Sequence, residues 1–365
     1  MKAAIQKSTF RVSGDTIDAV QVALERAMHA GGYKGKVQLN LLPSDVHDPT
    51  EIPTYLAGYR PFMYRADQAS PIILVDHDED KFRQFSQDDT FRRVDVKGSN
   101  TQLTTPEVDP TSSLTNYKVV NRYIGSFVPD QTESNATNPN YRPRFAAARR
   151  CRRAIDLDRE IDVWGLLGNT SNWASASRVA LTAGQNWNGG ASSNPILDLQ
   201  TALEVSAQQI TEFWMNQRTA NAFVRHDKVK DHFRMFNGDA TLAGAINDLG
   251  NMKKAIDFSI PGVGTIRVAA GKVKNETSGG LDYILADGTI VATVVPDSAF
   301  PLDGEEIATT YTFRRKGPSG TGYESREFRV ENRGPLGGTM IIISMADIAV
   351  VTANNAGAII TGAWV

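Results

Sequence analysis

The sequence is poor in the residues that staple, chelate or catalyse. Its 365 residues hold one cysteine, Cys151, and five histidines. A lone thiol makes no internal disulfide, so the fold is unstapled and a reducing compartment is the expectation. The opening MKAAIQKSTFRVSGD lacks the apolar centre of an export signal, and the most apolar later stretch, Met340 to Val351, is cut at Ser344 and Asp347. No run approaches the roughly 18–20 apolar residues that span a bilayer, so the reading is a soluble chain without a membrane partner. Charge excess is missing as well: 39 Lys and Arg stand against 41 Asp and Glu, a net charge of -2. A protein that holds nucleic acid by an overall basic surface is excluded, and any contact with DNA has to be local.

Catalytic signatures are also absent. No G-x-x-x-x-G-K-[ST], G-x-G-x-x-G or G-x-S-x-G pattern occurs, and Gly262-Val263-Gly264 leads into a strand, the wrong context for a phosphate loop. His226-Asp227 and Asp231-His232 are the best metal candidates, but a six-residue spacing puts the two rings about 120° apart on a helix. Asp76-His77-Asp78-Glu79-Asp80 lacks the glycine and the ordered alternation of a calcium loop, and reads as a solvated charge run. Cys151 reads as packing, and Trp164, Trp173, Trp187, Trp214 and Trp364 as core or loop anchors rather than a base-stacking array. No catalytic residue, metal ligand or cofactor is assigned, and the chain is not expected to be an enzyme.

What the chain does contain is limbs. The hydrophobic set is 41% with 30 glycines, an ordinary globular balance that excludes collagen-like, coiled-coil and wholly disordered chains. Length suggests two domains at roughly 150 residues each. Asp15 to Ala30 reads as a short amphipathic helix, and residues 33–75, with Pro43, Pro49, Pro53, Pro61 and Pro71, as an extended arm. From Asp76 to Lys97 there are seven acids and five bases, and 13 of the 19 residues from Gly98 to Asn116 are Gly, Pro, Ser, Thr or Asn. So long a segment with little to bury is unusual inside a compact domain. Drawn out as a hairpin of about 15 residues per arm, it reaches roughly 50 Å.

Tyr117 to Pro129 reads as a strand. Pro143 then opens a helix to about Leu167 with Ala147, Cys151, Ala154, Leu157, Ile161 and Trp164 on one stripe. Its charges oppose the helix macrodipole: Arg142, Arg144, Arg149, Arg150, Arg152 and Arg153 crowd the first half, and Asp156, Asp158, Glu160 and Asp162 the second. Such a helix is expected to meet compensating charge from elsewhere. A second helix starts at Asn194-Pro195, and Asn221 to Phe236 reads as a short strand leading into a helix. Thr265–Ala270, Leu281–Ala286 and Thr289–Val295 read as strands, with Asp287-Gly288 as a hairpin turn between the last two. Ile307–Lys316 and Gly322–Glu331 read as a second hairpin, and Met340–Ile343, Ile348–Thr352 and Ala358–Ile360 as separate apolar strands.

This order resembles the tailed-bacteriophage major capsid protein of the HK97-type fold. The residues that carry the resemblance begin with Lys81-Phe82-Arg83 and Phe91-Arg92-Arg93 in the extension, Tyr117-Lys118-Val119, Val128-Pro129-Asp130 and Leu157-Asp158-Arg159-Glu160. They continue through Trp187, Asn194 to Leu199, Asn221-Ala222-Phe223-Val224 and Gly264-Thr265-Ile266-Arg267-Val268. Tyr311-Thr312-Phe313-Arg314, Gly322-Tyr323 and Asn355 to Ile360 complete the series, which runs from about residue 80 to the C-terminus.

The resemblance implies an α+β, HK97-like capsid fold. Its parts are an N-terminal arm (1–75), an extended E-loop hairpin (76–118) and a P-domain with a long spine helix (119–220, helix about 143–167). An A-domain (221–300), a P-domain β-hairpin (301–344) with a P-loop at 317–321, unrelated to nucleotide binding, and A-domain C-terminal strands (345–365) complete it. The implied function is a structural shell subunit that self-assembles into hexamers and pentamers around double-stranded phage DNA, made in the bacterial host cytoplasm and residing in the virion. The alternative is an encapsulin-like nanocompartment shell. Implied partners are the chain itself, portal and scaffolding or decoration proteins, and packaged DNA bound without sequence preference. No charged helical segment precedes the arm, so scaffolding is expected from a separate protein or from the chain itself. On this reading Arg92, Arg93 and Lys97 meet Asp156, Asp158 and Glu160 of a neighbour, Arg159 is a further inter-subunit contact, and Gly317, Pro318 and Gly320 lie near local threefold contacts. Arg144, Arg149, Arg150, Arg152 and Arg153 face either packaged DNA or a neighbouring subunit.

Overall fold

The computed structural model describes residues 46–47, 52, 64–85, 113–136, 142–189, 191–237, 257–260, 262–296, 306–317, 322–331 and 337–364. The helix expected at 15–30 lies outside them. By internal contacts the chain divides into two compact units. One comprises 1–59, 121–155 and 316–345, the other 60–120, 156–315 and 346–365. The long helix Pro143–Gly168 and the 14-residue strand Gly338–Val351 each contribute one part to each unit.

In the first unit, Tyr323–Val330 pairs antiparallel with the first part of Gly338–Val351, from Tyr323 opposite Met345 to Val330 opposite Gly338. Strand alternation sends Ile341, Ile343 and Met345 to one face, where they pack with Ala147, Ala148, Cys151 and Ile155 of the long helix and with Val128. The alternate residues, Met340 and Ile342, pack with Phe328, Tyr123 and Phe127. A strand covered on both faces is a continuous apolar run, which is why this stretch shows no polar alternation.

The second unit is built on a six-stranded sheet in the order Arg178–Ala180, Gly357–Thr361, Ile290–Thr293, Glu212–Asn216, Gly264–Ala269 and Phe258–Ile260. Phe213, Met215, Ile290, Ala292, Ala358 and Ile360 face a layer that includes Leu199 and Ala202 of helix Pro195–Val205, Phe223 of helix Gln217–Arg225 and Val229 of helix Asp227–Asn237. The intervening Trp214, Val291 and Ile359 face Val163, Trp164 and Leu167 of the long helix. Beside it, Thr310–Arg315 pairs antiparallel with the end of Gly338–Val351 and parallel with Ile72–Val75. The strands Glu79–Gln84 and Ser113–Lys118 form an antiparallel pair. Tyr117 stacks on Phe313 at 4.4 Å between ring centroids, and Phe82 lies 5.7 Å from the same ring.

Several sequence expectations are corrected. Leu281–Tyr283 pairs with Lys272–Lys274, whereas Ile290–Thr293 lies in the main sheet, so Asp287-Gly288 is a turn between two sheets and not a hairpin. Thr310–Arg315 and Tyr323–Val330 are not hairpin partners either; both pair with Gly338–Val351, which is one strand where two were expected. Tyr323–Val330 pairs with its first part, Gly338 to Met345, and Thr310–Arg315 with its end, Asp347 to Val351. Within residues 66–75, Ala66, Ala69 and Ile73 are buried. The strand expected near Asn221 lies earlier, at Glu212–Asn216, and Asn221 is helical.

Candidate assembly surfaces

The long helix spans the expected residues, but its buried face differs from the apolar stripe. Ile161 is exposed and Leu157 half-buried, while Arg152, Asp156, Arg159 and Glu160 are buried alongside Cys151, Ile155 and Val163. Buried charge survives only where partners compensate its desolvation. Arg159 pairs with Asp67 and, at 2.7 Å through Nε, with Asp347; Arg314 reaches the same Asp347 carboxylate at 3.3 Å. Glu160, 1% exposed, accepts hydrogen bonds from the backbone N–H of Arg65 at 3.0 Å and of Ala66 at 2.8 Å, and from Trp164 Nε1 at 2.6 Å. Burial pushes its carboxyl above the ordinary value, against the pull of those donors and of Arg159. Compensation for Arg159 and Glu160 thus comes from within the chain.

The first half of the helix follows the same logic. Arg144 Nε and Nη2 hold the Glu133 carboxylate at 2.7 and 2.9 Å, with Glu327 at 3.4 Å. The Arg152 guanidinium lies over the Tyr323 ring, 3.9 Å from its centroid, a cation–π contact. Arg149, Arg150 and Arg153 remain exposed at helical spacing, forming a basic stripe on the first unit. On the second unit Asp158, Ile161 and Asp162 are exposed, while Asp156 is buried. Gly317 is half-buried; Pro318, Gly320, Arg92, Arg93 and Lys97 lie outside the described residues.

Sequence reading missed the inner partners Asp67, Glu133, Arg314 and Asp347. A signal for one was present, since Asp347 interrupts an apolar run and a carboxylate there has to find a cation. Exposed apolar side chains mark further surface for burial: Leu114 on the Glu79–Gln84/Ser113–Lys118 pair is 65% exposed, Val120 50% and Leu281 68%. Among the described residues no group of three His, Cys, Asp or Glu is placed to hold a metal ion, and no helix is long and apolar enough to cross a membrane.

Residues 173–300 match the family model of the phage major capsid protein E. Of the solved structures, a phage-related protein from Bordetella bronchiseptica RB50 superposes with a TM-score of 0.64 at 14% identity, covering 87% of this chain and 97% of the other. Over a third of its length the chain is thus similar to a phage capsid family, and it shares its fold with the phage-related protein. A capsid protein of an Escherichia coli CFT073 prophage, described as putative, gives a TM-score of 0.49 at 10% identity over 87% and 99% of the two chains. The SrpI encapsulin of Synechococcus elongatus PCC 7942 gives 0.45 at 12% identity over 86% and 95%. A search of the curated proteins finds no match. The α+β architecture is the one this chain shares with the Bordetella protein.

Proposed function

We propose that this chain is a capsid protein of the HK97-like fold, the repeating subunit of an icosahedral phage head that assembles as hexamers and pentamers around double-stranded DNA. The observation that supports this reading is the conjunction of a phage capsid family match over 173–300 with a fold shared with a phage-related protein over 87% of the chain. The parts take the roles of arm (1–75), E-loop (76–118), P-domain (119–220 and 301–344) and A-domain (221–300 and 345–365). Arg92, Arg93 and Lys97 of one copy meet the exposed acids Asp158 and Asp162 of a neighbour's long helix, in place of the buried Glu160. Gly317, Pro318 and Gly320 lie where subunits converge, and Arg149, Arg150 and Arg153 face DNA or an acidic neighbour. Portal, scaffolding or decoration proteins complete the particle, which is built in the host cytoplasm. Near-neutral net charge means that DNA enters by work done on it, since condensation by the shell needs a basic lumen.

The test is expression of the full chain followed by sedimentation and negative-stain microscopy. Closed shells whose purified contents are phage DNA with portal protein support the proposal. Shells filled with a single enzyme species make the chain a nanocompartment protein, and a 39.8 kDa monomer at every concentration overturns assembly altogether.

A further inference from the structure

In the second unit a cavity of about 500 Å³ is lined by Trp187, Asn188, Asn221, Arg225, His226 and Trp364, with Arg218 at its edge. Its walls are tied together. The Trp187 backbone N–H donates to Ala363 O at 2.7 Å, and the Ala363 N–H donates to Gly288 O at 3.0 Å. Gly288 has φ +72°, and a Cβ there would stand 2.5 Å from the Trp364 nitrogen, so only glycine admits this close approach. The Trp187 ring is held by donation of Nε1 to Asp198 at 2.8 Å and by tilted packing on Phe223 at 5.3 Å. A pocket so braced exists before any ligand arrives, and its volume falls within the roughly 300–1,000 Å³ of small-molecule sites.

The lining has a definite chemistry. Arg218, Asn221 and Arg225 recur at helical spacing on Gln217–Arg225 and share one face. The charge of Arg218 is balanced by Asp287. Arg225 is exposed and has no carboxylate partner among the described residues, and no acid lines the cavity. His226 Nδ1 accepts from the Lys228 N–H at 3.3 Å, which leaves the ring proton on Nε2 as a donor. Burial first, and Lys228 next, hold this imidazole below its ordinary pKa, so it is neutral at pH 7.

We propose that this pocket binds one nucleotide: the base against the half-buried Trp364 indole, which Trp187 backs from the core, with its edge read by Asn188 and Asn221, the phosphate on Arg225 with the His226 Nε2–H. Indoles offer stacking surface to any base. Asparagine amides pair donor and acceptor as base edges require, and guanidinium groups match phosphate oxygens in a fork. A duplex is not the ligand, because its bases are stacked and paired out of reach of such a pocket. The nucleotide is either free or one unstacked residue of a single strand.

Calorimetric titration of the full chain tests this with AMP, ribose 5-phosphate, adenosine, an eight-residue oligo(dA) and a glutamate-rich peptide as probes. AMP is expected to bind at least tenfold more tightly than either ribose 5-phosphate or adenosine, because each lacks one half of the recognised group. Arg225→Gln is expected to weaken AMP about tenfold with an unchanged circular-dichroism spectrum, the loss of one charge-assisted contact. Lys274→Gln, exposed on the strand Lys272–Lys274, leaves binding unchanged. Tighter binding of oligo(dA) than of AMP assigns the site to single strands, and the reverse assigns it to free nucleotides. Equal affinity for AMP and ribose 5-phosphate, no heat with any nucleotide at millimolar concentration, or tighter binding of the acidic peptide overturns the proposal, the last making the pocket a protein-docking site.

Discussion

Glu160 shows what a single buried carboxylate does for this fold. It terminates three N–H donors, two of them at the entry to the short helix Ala66–Ala69, and so ties residues 65–66 to the long helix. Glu160→Ala leaves those donors without an acceptor, at a cost of about 3 kcal/mol or more. Burial raises the carboxyl pKa in the folded state. The native chain therefore holds a proton that the unfolded chain has released, and this group's contribution to stability falls as pH rises from about 4.5 to the raised folded value. Urea denaturation across that window is expected to show the decline in the wild type and a flatter profile in Glu160→Gln. An identical slope in both would remove Glu160 as its source. Cys151 makes a second case at this scale. Burial pushes its thiol up to about 11, more than the nearby Arg150 lowers it. Compared with an ordinary thiol, its thiolate fraction near pH 8 drops roughly 10²–10³-fold, so a thiol reagent is expected to label it only on unfolding. Labelling of the folded chain at the rate of free cysteine would contradict the packing.

Elements were legible where one period or one turn signal fixed them locally. The long helix was readable to within a residue of its end because Pro143 starts it and a 3.6-residue rhythm sustains it. Its buried face was not readable, because Arg159 is compensated by Asp67 and Asp347, and Glu160 by backbone donors, all far away in sequence. Strand pairing failed for the same reason: Asp287-Gly288 and the 317–321 turn are proper turn chemistry, yet nothing local says that a later apolar strand outcompetes the adjacent one. Of the candidate site, the crowding of arginines in the first half of the helix was legible in the sequence, whereas which of them stay exposed, the inner role of Glu160 and the pocket at Trp187 needed the tertiary structure. Gly357 illustrates how such pairing is secured. Its φ is +129°, and a Cβ there would collide with the Ala292 carbonyl oxygen in the paired strand. Gly357→Ala is expected to destabilise the second unit by about 1–3 kcal/mol, read as a lowered denaturation midpoint with the helical signal retained. An unchanged midpoint would mean that the two strands separate freely.

For the whole molecule the decisive question under the proposed shell function is what would drive copies together. With a net charge of -2, long-range attraction is not available, and exposed ion pairs are screened within about 8–10 Å at ordinary salt. Apolar area left open on the single chain is the remaining source, and Leu114, 65% exposed on a strand pair anchored by Phe82 and Tyr117, is the clearest instance. In the free subunit Leu114→Asp removes nothing buried, so its stability is expected to change by about 0.5 kcal/mol or less. If a neighbour covers that side chain in the shell, each copy loses roughly 1.5–3 kcal/mol, which raises the concentration threshold for assembly about 10- to 100-fold. Light scattering against concentration, at low and high salt, separates the causes. A threshold that moves with Leu114→Asp but hardly with salt places the driving force in apolar burial. A threshold indifferent to the substitution and steeply salt-dependent places it in the charges of the long helix, and Asp158→Arg then becomes the variant that abolishes shells.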